Sequence, residues 1–189
     1  MAAVESQMLA IGTQVPGFSL PDPDGQVHSL RDKADAYLIM FICNHCPFVK
    51  HVRDELARLG RDYASRNVAI YAINSNDTEN YPGDSPEHMK REAQTWGYSF
   101  PYLIDADQSV AKAYRAACTP DFYLFDAARS LVYRGQLDGS RPSNDVPVDG
   151  RDLRAALDAV LAGDPASEQQ TPSIGCSIKW KQGNAPDYS

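Results

Sequence analysis

The run Tyr37-Leu38-Ile39-Met40-Phe41-Ile42 is apolar at every position and short, which predicts a strand buried on both faces. Directly after it, Val49, Val52, Leu56 and Leu59 recur at three- and four-residue spacing, one face of an amphipathic helix. Val68 to Ile73 is a second apolar run. The connection between the two strands is long and helical, so they are predicted to lie parallel through a right-handed crossover. Before them, Phe18-Ser19-Leu20 and Gln26 to Leu30 flank Asp24-Gly25, the pattern of a small hairpin.

Ser85-Pro86 opens a further helix, with Ser85 as N-cap and Pro86 at the first position, ending near Trp96-Gly97. Tyr102-Leu103-Ile104 reads as a short strand and Ser109 to Arg115 as a short helix. Asp121 to Phe125 and Leu131 to Gly135 are two strands joined by a tight turn, hence antiparallel. Leu153, Leu157, Val160 and Leu161 mark a last helix ending at Gly163. This order predicts an α/β fold: a central mixed β-sheet flanked by helices, with an N-terminal hairpin extension. The domain is expected over 11–163.

The remainder, 164–189, is a polar tail with one exception. Ile174, Cys176, Ile178 and Trp180 alternate with Ser173, Gly175, Ser177 and Lys179. Period-two alternation gives an extended segment with one apolar face, which should dock on the domain. The plainer reading of Cys176 is part of an anchor; the sharper one is an accessory thiol that reaches the redox edge.

Composition narrows the function classes. A net charge of −7 over 189 residues disfavours nucleic-acid binding through phosphates. Met1 to Ser6 shows no secretory pattern, and no apolar stretch is long enough to span a membrane. The expectation is a cytoplasmic protein with no membrane or nucleic-acid partner. In that compartment four cysteines point to catalysis or metal rather than a disulfide framework.

The chemistry concentrates in Cys43-Asn44-His45-Cys46, at the junction of the first buried strand and the first helix. Free N–H groups and the positive end of the helix dipole favour a thiolate near a helix N-terminus. A thiolate is the form that attacks disulfides and peroxides. His45 is expected to tune the Cys43 thiolate and raise the reduction potential. The alternatives are a zinc knuckle or two inert buried thiols. Zinc wants four ligands, whereas Cys118 and Cys176 are far apart in sequence and no His-x-x-x-His follows.

Sites in parallel sheets form beyond the carboxyl ends of the strands. The loop Asn74-Ser75-Asn76-Asp77 and the segment Cys118-Thr119-Pro120 are therefore predicted to converge on Cys43. Asn44, Asn74 and Asn76 are candidate substrate contacts, though loop asparagines equally well satisfy backbone groups. Cys118, His28, His51, Tyr81, Trp96 and Trp180 read as packed or surface residues.

The layout and the Cys43-x-x-Cys46 motif resemble the thioredoxin superfamily, most closely redoxins of the thioredoxin-like and alkyl-hydroperoxide-reductase-like group, over about residues 11 to 162. The resemblance implies that Thr119-Pro120 takes the place of the family's cis-proline, with the Thr119 backbone open to pair with an extended substrate. It also implies catalytic Cys43 and Cys46 and no cofactor. Its partners would be a disulfide-containing protein or small-thiol substrate and an electron donor of the thioredoxin-reductase or glutathione type.

The sequence departs from the family's patterns in two places. Tyr37 stands where thioredoxins carry a buried acid, six residues before the first cysteine, so another group must accept the second cysteine's proton. The Pro-x-x-x-Thr/Ser-x-x-Cys pattern of peroxiredoxins fits neither cysteine. The leading expectation is thus a thiol–disulfide oxidoreductase. The alternatives are a thiol peroxidase with antioxidant activity and a non-catalytic metal or binding module.

Overall fold

The computed structural model describes residues 3–189. Its elements in chain order are β1 (Ala3–Glu5), β2 (Ser19–Pro21), β3 (Val27–Ser29), β4 (Ala36–Phe41), α1 (Pro47–Tyr63), β5 (Val68–Asn74), α2 (Pro86–Trp96), β6 (Tyr102–Ile104) and α3 (Ser109–Ala113). They continue with β7 (Cys118–Thr119), β8 (Asp121–Asp126), β9 (Leu131–Gly135), α4 (Arg151–Ala162) and β10 (Ile174–Ser177). The main sheet has the order β6-β5-β4-β8-β9. β4 runs parallel to β5 and antiparallel to β8, as the connection lengths predict.

Alternation along β4 sorts the core into two layers. Leu38 and Met40 pack with Val49, Val52, Leu56 and Leu59 of α1 and Leu153 and Leu157 of α4. Tyr37, Ile39 and Phe41 pack on the other face with Val110 and Ala111 of α3 and with Phe18 and Leu20 of the β2–β3 hairpin. Both faces are covered, which is why β4 reads as an unbroken apolar run. The helix ends follow local chemistry. Ser85 accepts a hydrogen bond from the His88 N–H at the start of α2, and Gly97 and Gly163 end α2 and α4 in the left-handed region, at φ 67° and 82°. Among the described residues no helix is long and apolar enough to cross a membrane.

A second, three-stranded sheet completes the architecture. β10 lies between β1 and β7 in a separate three-stranded sheet, antiparallel to both. The tail therefore docks by strand pairing as well as by its apolar side chains. Those side chains divide between the layers: Cys176 joins the α1 side, while Ile178 and Trp180 join the other. Beyond β10 the chain stays fastened. The Lys179 N–H donates to Asn76 Oδ1 at 2.8 Å, and the Lys179 carbonyl accepts from the Asp77 N–H at 2.8 Å and from Gln108 Nε2 at 2.9 Å.

Gly175 is where β10 comes closest to its neighbour. A Cβ there would lie 2.0 Å from the Thr119 carbonyl oxygen, so only glycine fits without moving backbone. Gly175→Ala should destabilise the fold by about 1–3 kcal/mol, read from denaturant unfolding, because the obstruction is main chain rather than a flexible side chain.

Asp121 begins β8 with no exposed surface. It accepts hydrogen bonds from the Tyr123 hydroxyl at 2.8 Å and the Phe122 N–H at 3.1 Å. Burial outweighs these bonds and pushes its carboxyl up from 3.8 to about 7. Between those values the native state keeps a proton that the unfolded chain has released. Stability therefore falls as pH rises from about 4 to about 7 and levels off above. Asp121→Asn should flatten that slope by roughly 4 kcal/mol across the window, measured as unfolding free energy against pH.

Candidate active site

Cys43 follows β4 directly, and Cys46 is the N-cap residue of α1, with Pro47 at the first helical position. The helix N-terminus thus acts on Cys46 more directly than on Cys43. The segment Cys118-Thr119-Pro120 converges on the same point, and the Thr119–Pro120 bond is cis. Cys43 Sγ lies 3.3 Å from the Thr119 hydroxyl, and Cys46 Sγ lies 3.2 Å from the Thr119 carbonyl, to which it donates as a thiol. Cys43, Cys46, Cys118 and Cys176 are all buried free thiols.

A buried carboxylate organises the other side. Asp84 has no exposed surface and accepts the Asn44 N–H at 2.7 Å, Asn76 Nδ2 at 2.7 Å and His45 Nδ1 at 2.6 Å. Burial raises its pKa, but the hydrogen bonds from His45 and Asn76 prevail and the net shift is downward. Sequence reasoning passed over this residue: a single acid between Gly83 and Ser85 belongs to no motif, and its importance comes from the segments that fold onto it. His45 also stacks on Tyr81, with ring centroids 5.6 Å apart.

Hydrogen bonding and burial divide the charge between the sulfurs. Cys46 is drawn down to about 5, first by the hydrogen bond from Cys43, against burial, with further hydrogen bonds from the Cys176 thiol and backbone. Cys43 is pushed up by that same bond, by burial and by the Asp84 charge. Cys176 is pushed up to about 12 by burial and by its hydrogen bond to Cys46. These influences favour a thiolate on Cys46 over one on Cys43. This corrects the expected role of His45: its imidazole pairs with Asp84, and the carboxylate beside Cys43 opposes a thiolate there.

The three candidate asparagines are structural. Asn44 donates from Nδ2 to the Gly83 carbonyl and accepts from the Tyr102 hydroxyl, both at 3.0 Å. Asn74 caps its own loop by accepting the Asn76 N–H, and Asn76 joins Asp84 to Lys179. All three are buried, and among their bonded atoms each holds a loop, while Asn74 Nδ2 has no partner among the described residues. The Thr119 backbone is not open either, because β10 pairs along it with Cys176 opposite Thr119.

Cys43, His45 and Asp84 offer ligand atoms within 4.8 Å of one another. The Asp84 oxygens, however, are already taken by three donors, one of them the imidazole itself, so a cation would have to displace the network that shapes the loop.

A Cys-x-x-Cys at a strand-to-helix junction, facing a cis-proline and backed by a mixed sheet, defines a redoxin of thioredoxin-like fold, an oxidoreductase by class. The chain belongs to the AhpC/TSA family, whose family model matches residues 11–134. The crystal structure of an uncharacterized conserved protein from Geobacillus kaustophilus is similar throughout, with 62% identity and a TM-score of 0.93 over 96% of this chain and 97% of that one. The thiol-disulfide oxidoreductase ResA of Geobacillus thermodenitrificans is 26% identical over 123 residues, 65% of this chain and 67% of ResA. In fold alone, the thioredoxin domain of a thiol-disulfide oxidoreductase from Bacteroides vulgatus aligns at 20% identity with a TM-score of 0.57, covering 68% of this chain and 89% of that domain.

Asp84→Asn removes the charge that opposes a Cys43 thiolate while keeping one acceptor oxygen. The pH midpoint for alkylation of Cys43 should fall. Asp84→Ala should in addition cost about 1–3 kcal/mol of stability through unpaired buried donors.

Proposed function

We propose that this protein is a thiol–disulfide oxidoreductase that reduces the disulfide of a protein or small-molecule substrate through a Cys43–Cys46 couple. The observation that carries the reading is the pair's setting: Cys43 Sγ 3.3 Å from the Thr119 hydroxyl and Cys46 Sγ 3.2 Å from the Thr119 carbonyl, beside a cis-proline and at the N-terminus of α1. Cys46, drawn down to about 5, then acts as the base for Cys43.

Cys43 passes its proton to Cys46 as its sulfur attacks the substrate disulfide, and the first substrate thiolate leaves. Cys46 attacks Cys43 Sγ in the mixed disulfide, and its proton goes to the second departing substrate sulfur. The protein is left as the Cys43–Cys46 disulfide, oxidised by two electrons, and the substrate as one thiol and one thiolate, which takes its proton from solvent. A donor of the thioredoxin-reductase or glutathione type returns the dithiol, and the proposed setting is the cytosol.

Cys43→Ser should abolish turnover, lowering the rate by about 10³-fold or more, a loss of at least about 4 kcal/mol in transition-state stabilisation. Cys46→Ser should accumulate a Cys43 mixed disulfide with substrate, detectable by intact mass. Absence of that adduct at full substrate conversion would sink the mechanism. In wild type, the single-turnover rate with a small disulfide should rise through pH about 5, where Cys46 becomes the base, and level off towards neutrality.

The Thr119 hydroxyl at 3.3 Å from Cys43 Sγ favours a second reading, a thiol peroxidase, since it supplies from another segment the hydroxyl that the local sequence lacks. Peroxide consumption far faster than that of a free thiol, with weak disulfide reduction, would select it.

A further inference from the structure

Three cysteines, not two, belong to the site. Cys43, Cys46 and Cys176 share one buried cluster with the α1 side of the core. Thr119 is common to all three. Its hydroxyl meets Cys43, its carbonyl accepts from Cys46 at 3.2 Å, and its backbone position is paired with Cys176 in the β7–β10 register. Cys118 sits one residue away opposite Ser177, and its sulfur approaches the Pro120 carbonyl at 3.9 Å.

The position of Cys176 is held from every side of its strand. β1 pairs along one edge, with Ala3 opposite Cys176 and Glu5 opposite Ile174. β7 pairs along the other, and the side-chain-free Gly175 lets the strand press onto the Thr119 carbonyl. Asn76, Asp77 and Gln108 clamp Lys179 just beyond. β10 therefore occupies the edge expected for an extended substrate, and it brings a sulfur with it.

We propose that Cys176 is the third redox cysteine of this protein, and that the Cys43–Cys46 disulfide isomerises to a Cys46–Cys176 disulfide that leaves Cys43 a free thiol. The step rests on the Cys43–Cys46 reading above. Cys176 attacks Cys46 Sγ, the Cys43–Cys46 bond breaks, and the proton of the Cys176 thiol passes to the departing Cys43 sulfur. No electron enters or leaves, so no further oxidant is needed once the substrate disulfide has oxidised the pair. Cys176 is a buried thiol in the same cluster as Cys46 and opposite the Thr119 that Cys46 meets, which suits an internal partner better than a second site of attack. The buried Lys179 ammonium favours its thiolate and so assists the exchange. The consequence is an oxidised protein whose substrate-facing sulfur, Cys43, is again a thiol.

The test is to equilibrate the full chain in graded glutathione buffers, quench in acid, alkylate and map the disulfides by mass spectrometry. Wild type should contain both the Cys43–Cys46 and Cys46–Cys176 pairs, in a ratio that does not change with poise, because isomers differ by no electrons. Cys43→Ser should form Cys46–Cys176. Cys176→Ser should show a single couple, less reducing than wild type by about 30 mV if the isomer is favoured tenfold. The proposal is overturned if Cys43→Ser keeps Cys46 and Cys176 reduced where wild type carries Cys43–Cys46, or if wild type and Cys176→Ser share one midpoint. In that case the Cys43–Cys46 reading stands. If wild type forms no internal disulfide at any poise, both readings fall.

Discussion

Thr119 presents its backbone to a helix cap and to a strand at once, and the site is built on that double contact. Its carbonyl receives the Cys46 thiol at the mouth of α1 and lies so near Gly175 that no side chain fits between. A backbone acceptor cannot rotate away as a side chain can, so both neighbours take their positions from it. The sulfur of Cys46, the path of β10 and the burial of Cys176 follow from one peptide group. Moving Thr119 would loosen the helix cap and the terminal sheet together.

Charge is set against that frame from the opposite side. Asp84 gathers an imidazole, an amide side chain and a backbone N–H into the interior, and this pays the desolvation cost of its own ionisation. The carboxylate stands near Cys43, while the helix terminus stands under Cys46. A pair of chemically identical thiols becomes polarised, with the negative charge on the deeper sulfur. The order of the cysteines in the sequence does not fix which of them is the thiolate; the carboxylate and the hydrogen bonds do.

Much of this was legible in the chain. β4, β5 and α1 announced themselves because burial on both faces and on one face leaves different periodicities, and the parallel pairing followed from connection length. The convergence of Cys43, Cys46 and Thr119-Pro120 was foreseen because chemistry and topology agreed. Asp84 was not, since its weight comes from Asn44, His45 and Asn76 meeting it from other segments. The three asparagines were judged by residue type alone, and burial turned them from contacts into scaffolding. β7 and β10 span two and four residues, too short for periodicity to mark as a sheet, so the alternating tail predicted docking without naming its partner.

The closure of β10 between β1 and β7 also sets an order of assembly. The β1–β10 pairing joins residue 3 to residue 176, farther apart in the chain than any strand pair of the main sheet, and carries a larger loop-closure cost. The main sheet rests on nearer pairs than this one and can form before β1 closes on β10. A chain folded that far holds Cys43 and Cys46 at an uncovered edge, open to any disulfide it meets. Only when the strand arrives does the dithiol acquire its cover, so the last event of folding is also the one that decides which molecules can reach the sulfurs.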